Sequence, residues 1–223
     1  GPGSGKTRVI THRTAYLVKV CGVSPYRIAA VTFTNKAARE MKERLTHLLG
    51  AGVRNLTMGT FHSFCAMILR REGEVIGLER NFAIYDNSDQ LELVKRSMKE
   101  VEVNPKQFAP RAVQSAISSA KSQLLGIEGF ALRRESYSDE IVLRVYERYE
   151  QLLTQSSAVD FDDLLLKTYL LFEGVPEVLD KYQVRYVHFM IDEFQDTNVA
   201  QYAIARQLSQ NHRNLCVVGD PDQ

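Results

Sequence analysis

The 223-residue chain carries 28 Lys and Arg against 27 Asp and Glu, and its formal net charge of +1 neither requires nor excludes a polyanionic partner. Its length allows one large domain or two small ones, each with a real core. Three widely spaced cysteines (Cys21, Cys65, Cys216) and five histidines without ligand spacing exclude a disulfide framework and a zinc site, and read as reduced, buried thiols in a cytoplasmic protein; no apolar run approaches the ~18 residues of a membrane span.

The chain opens on GPGSGKT, Gly1 to Thr7. Glycine costs roughly 1 kcal/mol in a helix interior, so a glycine cluster here requires a loop with unusual dihedrals or close backbone approach. Because the loop ends in Lys-Thr at the start of an apolar-periodic segment, it suits phosphate. Backbone N–H groups and the helix dipole face the anion, Lys6 reaches the outer phosphates, and the Thr7 hydroxyl can hold Mg²⁺. This is the pattern of a P-loop, whose first small residue and launching strand would precede Gly1. The expectation is therefore an unfilled slot between strands.

Residues 8–20 then place Val9, Ile10, Ala15, Tyr16, Leu17 and Val20 in a helical rhythm that runs out at Cys21-Gly22. The continuous apolar run at 28–33 predicts a buried parallel strand, and it ends in the N-cap residues Thr34 and Asn35. Next comes a helix with Ala37, Ala38, Met41, Leu45, Leu48 and Leu49 at threes and fours, stopped by Gly50. A short strand at 56–59, the polar turn Thr60-Phe61-His62-Ser63 and a helix through Leu69 repeat the unit. Strand, polar turn and helix in succession predict an α/β domain with a parallel sheet.

Between 83 and 156 strand-like runs nearly vanish and helical periodicity takes over, as in Leu91, Val94 and Met98, and in Ile141, Val145, Tyr149 and Leu152. The expected organisation is thus a first part of the α/β domain at 1–82, an all-helical insertion at 83–156, and the rest of the α/β domain at 157–223. In that last part a helix at 164–172 precedes two strands, 186–191 and 215–218, each delivering acidic residues, with a helix at 199–208 between them.

Asp192 and Glu193 follow the apolar strand within IDEFQDT. Ligands bind at the carboxyl ends of strands in open α/β sheets, and a nucleotide triphosphatase needs one acid for Mg²⁺ and one group to orient or deprotonate water. Asp192 fits the first role and Glu193 the second; a solvated strand end is the plainer alternative. Gln195 can hydrogen-bond a γ-phosphate or the attacking water without adding charge. The closing GDPDQ, 219–223, repeats the arrangement of a strand followed by a polar loop ending in glutamine, and taken alone it also reads as a turn.

GPGSGKT at 1–7, VTFTNKAAREM at 31–41, GTFHSFC at 59–65, VDFDDLL at 159–165, IDEFQDTN at 191–198 and VVGDPDQ at 217–223 together resemble the ordered motifs of superfamily 1 DNA helicases of the UvrD/Rep/PcrA type. The resemblance implies a RecA-like P-loop NTPase fold with an inserted helical subdomain, using ATP and Mg²⁺. It implies that Gly1, Pro2, Gly3, Ser4, Gly5, Lys6, Thr7, Arg8 and Gln223 bind ATP. Thr7 and Asp192 would hold the metal, with Glu193, Lys6 and Gln195 catalytic. Phe33, Thr34, Asn35, Thr60, Phe61 and His62 would contact single-stranded DNA. An aromatic among small hydroxyl and amide groups at a strand end can stack a base and hold a phosphate without reading sequence.

The same resemblance implies 3′ to 5′ translocation on single-stranded DNA, action at single-strand/duplex junctions, and service in repair or replication. It further implies a second RecA-like domain of the same protein, whose arginine fingers are worth roughly 10³ to 10⁵ in rate, so residues 1–223 alone are expected to be nearly inactive. Asp160, Asp162 and Asp163 read equally as helix-capping residues. Arg111, Lys121, Arg133 and Arg134 in the insertion are possible phosphate contacts or a solvated face. Alternatives left open are a helicase-nuclease subunit of the same family, a P-loop nucleotide switch that leaves TFTN and TFHS idle, and a degenerate motor kept as a binding module.

Overall fold

A computed structural model describes residues 5–220. In chain order the helices and strands are α1 (Lys6–Lys19), β1 (Ile28–Thr32), α2 (Asn35–Leu49), β2 (Thr57–Thr60), α3 (Phe61–Glu72), β3 (Ala83–Tyr85), α4 (Asn87–Glu100), α5 (Pro110–Ser122), α6 (Ile127–Arg133), α7 (Tyr137–Gln155), β4 (Ala158–Asp160), α8 (Phe161–Gly174), α9 (Pro176–Arg185), β5 (His188–Ile191), α10 (Val199–Ser209) and β6 (Leu215–Val217). They fall into two compact units, Gly1–Met67 with Leu171–Gln223, and Ile68–Leu170.

The first unit is built on a four-stranded sheet ordered β2-β1-β5-β6, every neighbouring pair parallel. All five residues of β1 are buried, which is why it reads as an uninterrupted apolar run rather than an alternating one. Val31 pairs with Ile191 and Ile191 with Val217, while Thr32 pairs with Thr60. Parallel pairing in this register brings the carboxyl ends of all four strands to one edge. Ile10 and Leu17 of α1 and Met41 and Leu45 of α2 pack with Ile28, Ala30 and Met190 in one core cluster. Thr34 caps α2 by accepting the Ala37 N–H at 3.1 Å, and Gly50 ends it at φ 57°.

The strands pair contiguously, so the slot expected between them is not there; β6 is the sheet edge. The expected strand at 56–59 lies one residue later, and the expected helix at 164–172 begins at Phe161. The reading of three buried thiols also changes: Cys65 is buried, but Cys21 at the exposed end of α1 faces solvent and Cys216 is half-buried. No helix among the described residues is long and apolar enough to cross a membrane.

In the second unit, helices α4, α5 and α7 enclose a core of Val94, Met98, Ile117, Val145, Tyr146, Tyr149 and Leu152. It is not helical throughout, since β3 and β4 form a parallel pair, Ala83 with Ala158 and Tyr85 with Asp160. Three-residue strands carry almost no periodicity, so only the paired backbone reveals them. The unit is correspondingly wider than 83–156, because β4 and the first residues of α8 belong to it.

Lys121 is the clearest departure from the sequence reading. It is fully buried, with Nζ 2.5 Å from Glu150, 2.7 Å from Asp160 and 2.8 Å from Asp163, and it cannot be a phosphate contact on a solvated face. Asp160 and Asp163 also exchange backbone hydrogen bonds at the start of α8, Asp163 N–H donating to Asp160 Oδ1 at 2.7 Å. Arg111, Arg133 and Arg134 are exposed.

Candidate functional site

The carboxyl edge of the sheet gathers Gly5 with the start of α1 and the segments that leave β1, β2, β5 and β6. Gly5 is the N-cap of α1 and sits at φ 78°, in the left-handed region where glycine carries no steric penalty. It directs the first N–H groups of α1 at the same edge that receives the acidic residues of β5. Lys6 is only 16% exposed in its side chain, and its Nζ lies 3.4 Å from Asp220 Oδ2 and 3.5 Å from Glu193 Oε2. Burial opposes its charge, but Asp220 and then Glu193 outweigh that and hold the ammonium above its ordinary value.

Asp192, the first residue beyond β5, is buried; its Oδ1 accepts the Glu193 N–H at 3.1 Å. Burial raises its pKa, and the Thr7 hydroxyl and Glu193 N–H counter the rise. Oδ2 of Asp192 is buried without a hydrogen-bond donor among the described residues. An anionic oxygen in that position, beside a threonine hydroxyl, is the donor set that a hard divalent cation such as Mg²⁺ satisfies. The residues thus fit the metal expected of Thr7 and Asp192.

Glu193 adopts φ 52° and ψ 47°, a left-handed conformation that costs a non-glycine residue roughly 1 to 2 kcal/mol. Three contacts maintain it. Gln195 Nε2 donates to Glu193 Oε2 at 2.6 Å, Gln195 Oε1 accepts the Asp220 N–H at 2.9 Å, and the Phe194 N–H donates to the Val218 carbonyl at 2.9 Å. The loops after β5 and β6 are therefore clamped together through Gln195. Gly219 makes the approach possible, because a Cβ there would lie 2.8 Å from Gln195 Oε1 and 3.2 Å from its backbone nitrogen.

An open cleft of about 1110 Å³ is lined by Lys6, Thr7, Glu193 and Gln195, and across from them by Thr34 and Arg44 of the α2 segment. Arg8 also lines it; the side chain is exposed and Nε donates to His12 at 3.3 Å. The cleft joins a cation, a hydroxyl and helix N–H groups, with the buried Asp192 beside the Thr7 hydroxyl, an arrangement that can hold a polyphosphate with its metal. Beside them stands a second acid, Glu193, whose Oε2 is held by Gln195 and lies 3.5 Å from Lys6 Nζ. Gly1, Pro2, Gly3, Ser4 and Gln223, expected to belong to the same site, lie outside the described residues.

Of the expected DNA contacts, Phe33, Asn35 and His62 are at least partly exposed on this edge. Phe61 is not: it is fully buried, packed on Phe33 with ring centroids 5.7 Å apart and edge-on to Phe189 at 6.3 Å. As the first residue of α3 it turns inward under the sheet edge, so it supports Phe33 and offers no face to a base. The threonine hydroxyls are engaged locally, Thr34 capping α2 and Thr60 accepting the Ser63 N–H at 3.1 Å. Asp220 received no separate role from the sequence, although its place after β6 parallels that of Asp192 after β5.

Residues 1–223 match the family model described as the UvrD/REP helicase N-terminal domain. The chain is 50% identical over 223 residues to the ATP-dependent DNA helicase PcrA of Bacillus subtilis (strain 168), covering 100% of this chain and 30% of that one. It is 48% identical over 223 residues to the ATP-dependent DNA helicases PcrA of Staphylococcus epidermidis (strain ATCC 12228 / FDA PCI 1200) and Staphylococcus aureus (strain NCTC 8325 / PS 47), again over all of this chain and over 31% and 30% of those proteins. The chain spans about 30% of the length of the relatives it matches.

Proposed function

The chain belongs to the UvrD/REP helicase N-terminal domain family, and from that premise we propose that it forms the first RecA-like motor domain of an ATP-dependent DNA helicase acting on single-stranded DNA and single-strand/duplex junctions in the cytoplasm. The observation that carries this reading is the convergence of Lys6, Thr7 and Glu193 on one cleft, with the buried Asp192 beside the Thr7 hydroxyl and its Oδ2 lacking a donor among the described residues. Lys6 and the first N–H groups of α1 bind the outer phosphates and neutralise charge as it develops on the γ-phosphate. Thr7 and Asp192 would hold Mg²⁺, which would supply further charge neutralisation. Glu193 takes a proton from the attacking water, and Gln195 orients its carboxylate. A second motor domain of the same protein completes the site.

Single-stranded DNA passes the edge at Phe33, Asn35 and His62, where Phe33 supplies the stacking ring. Because the clamp through Gln195 joins the acid loop to the loop after β6, a change at the nucleotide is passed directly along the sheet edge. The test is ATP hydrolysis by the full-length protein with and without single-stranded oligonucleotide. The proposal requires a strong rise on adding DNA, and a rate indifferent to DNA would favour a nucleotide switch.

A further inference from the structure

Lys6 has two carboxylates on its ammonium, and the two are connected. Asp220 Oδ2 lies 3.4 Å from Nζ and Glu193 Oε2 lies 3.5 Å away. Between them stands Gln195, which donates to Glu193 Oε2 through Nε2 and accepts the Asp220 N–H through Oε1. Asp220 and Lys6 are both mostly buried, at 18% and 16% side-chain exposure, so their attraction is screened less than that of a surface pair. Asp220 sits on the loop after β6 and Lys6 at the start of α1, so this pair joins two segments 214 positions apart.

We propose that Asp220 is a gate on Lys6: its carboxylate occupies the place of an anionic ligand oxygen, and a triphosphate binds by displacing it. The inference rests on the reading of this cleft as a triphosphate site. Displacement moves Asp220, and its backbone N–H is held by the same Gln195 that holds Glu193. Exchange of ligands on Lys6 therefore also releases Glu193 from Lys6 and repositions the proton acceptor. In this scheme Asp220 is a positioning residue that lowers nucleotide affinity and couples binding to alignment of the acid. A like-charged group opposing an incoming anion is also a specificity device, since only a ligand bearing outer phosphates competes for Lys6.

The test measures equilibrium binding of a non-hydrolysable β,γ-bridged ATP analogue with Mg²⁺, and of AMP, to the full-length protein and to Asp220→Asn and Asp220→Glu. Removing the competing charge should tighten the analogue about three- to tenfold in Asp220→Asn, leave AMP binding unchanged, and leave Asp220→Glu near wild type. A purely structural role would weaken or preserve binding of both nucleotides. Should Asp220→Asn melt out, Asp220→Ser, which also lacks the charge, carries the same expectation. Analogue binding that is unchanged or weaker in a folded, uncharged variant overturns the gate while wild-type binding keeps the cleft reading intact. Failure of the wild-type protein to bind the analogue overturns both.

Discussion

Phe33 and Phe61 pack at a tilt with ring centroids 5.7 Å apart, but only Phe33 retains an exposed part; Phe61 is fully buried. Two aromatics that look interchangeable in the motifs TFTN and TFHS therefore have different work. Replacing Phe33 by Ala in the full-length protein should weaken single-stranded DNA binding by about 1 to 3 kcal/mol, the range for one lost base stack, with little change in DNA-free ATP hydrolysis. Phe61→Ala should instead cost about 3 to 5 kcal/mol of stability as a core cavity. Fluorescence anisotropy with a labelled oligonucleotide and urea unfolding separate the two outcomes, and equal effects on both readouts would contradict the division.

Lys6 Nζ lies near an acid of each loop, Glu193 after β5 and Asp220 after β6. Lys6→Ala should remove a transition-state contact of the kind worth about 3 to 4 kcal/mol, so steady-state ATPase activity should fall by about two to three orders of magnitude. A rate within tenfold of wild type would rule out the role assigned to it.

Asp192 trades stability for function. Burial raises its folded-state pKa above the ordinary 3.8, so the fold disfavours the anion. For an acid shifted in this direction, stability falls as pH rises from its unfolded value through the raised folded value and stays lowered above it. Asp192→Asn removes that charge and should be no less stable than wild type in urea at pH 7, while Mg²⁺-dependent ATP hydrolysis drops at least about a hundredfold. A large loss of stability in this variant would mean that the carboxylate is a structural anchor.

Lys121 is the keystone of the helical unit. Burial alone would push its ammonium down, but Asp163, Asp160 and Glu150 outweigh that and hold it well above its ordinary value. Lys121→Met leaves Asp160 without its lysine and Glu150 and Asp163 with Lys167 alone, and should cost about 3 to 5 kcal/mol. Hydrogen-exchange protection of α5 and α7 is the readout. A base raised in the fold stabilises fully below its unfolded value, so the wild-type advantage should persist at neutral pH and fade only as pH rises beyond 10.5.

What the sequence determined alone was local: where apolar runs end in polar residues, where glycine must relieve the backbone, and where a helix is capped. Those signals placed β1, α2, β5 and α10 and carried Gly5-Lys6-Thr7, TFTN and IDEFQDT to the ends of their elements, because each depends on neighbours a few positions away. Tertiary structure decided everything that depends on distant partners. The inward turn of Phe61 is set by Phe189, the burial of Lys121 by acids from α7, β4 and α8, and the pairing of Lys6 with Asp220 by a sheet register that joins residues 214 apart. Side-chain direction at an element's first residue, and the choice between solvent and counter-charge for a lysine, follow from which elements pack together. Periodicity along one chain segment does not contain that information.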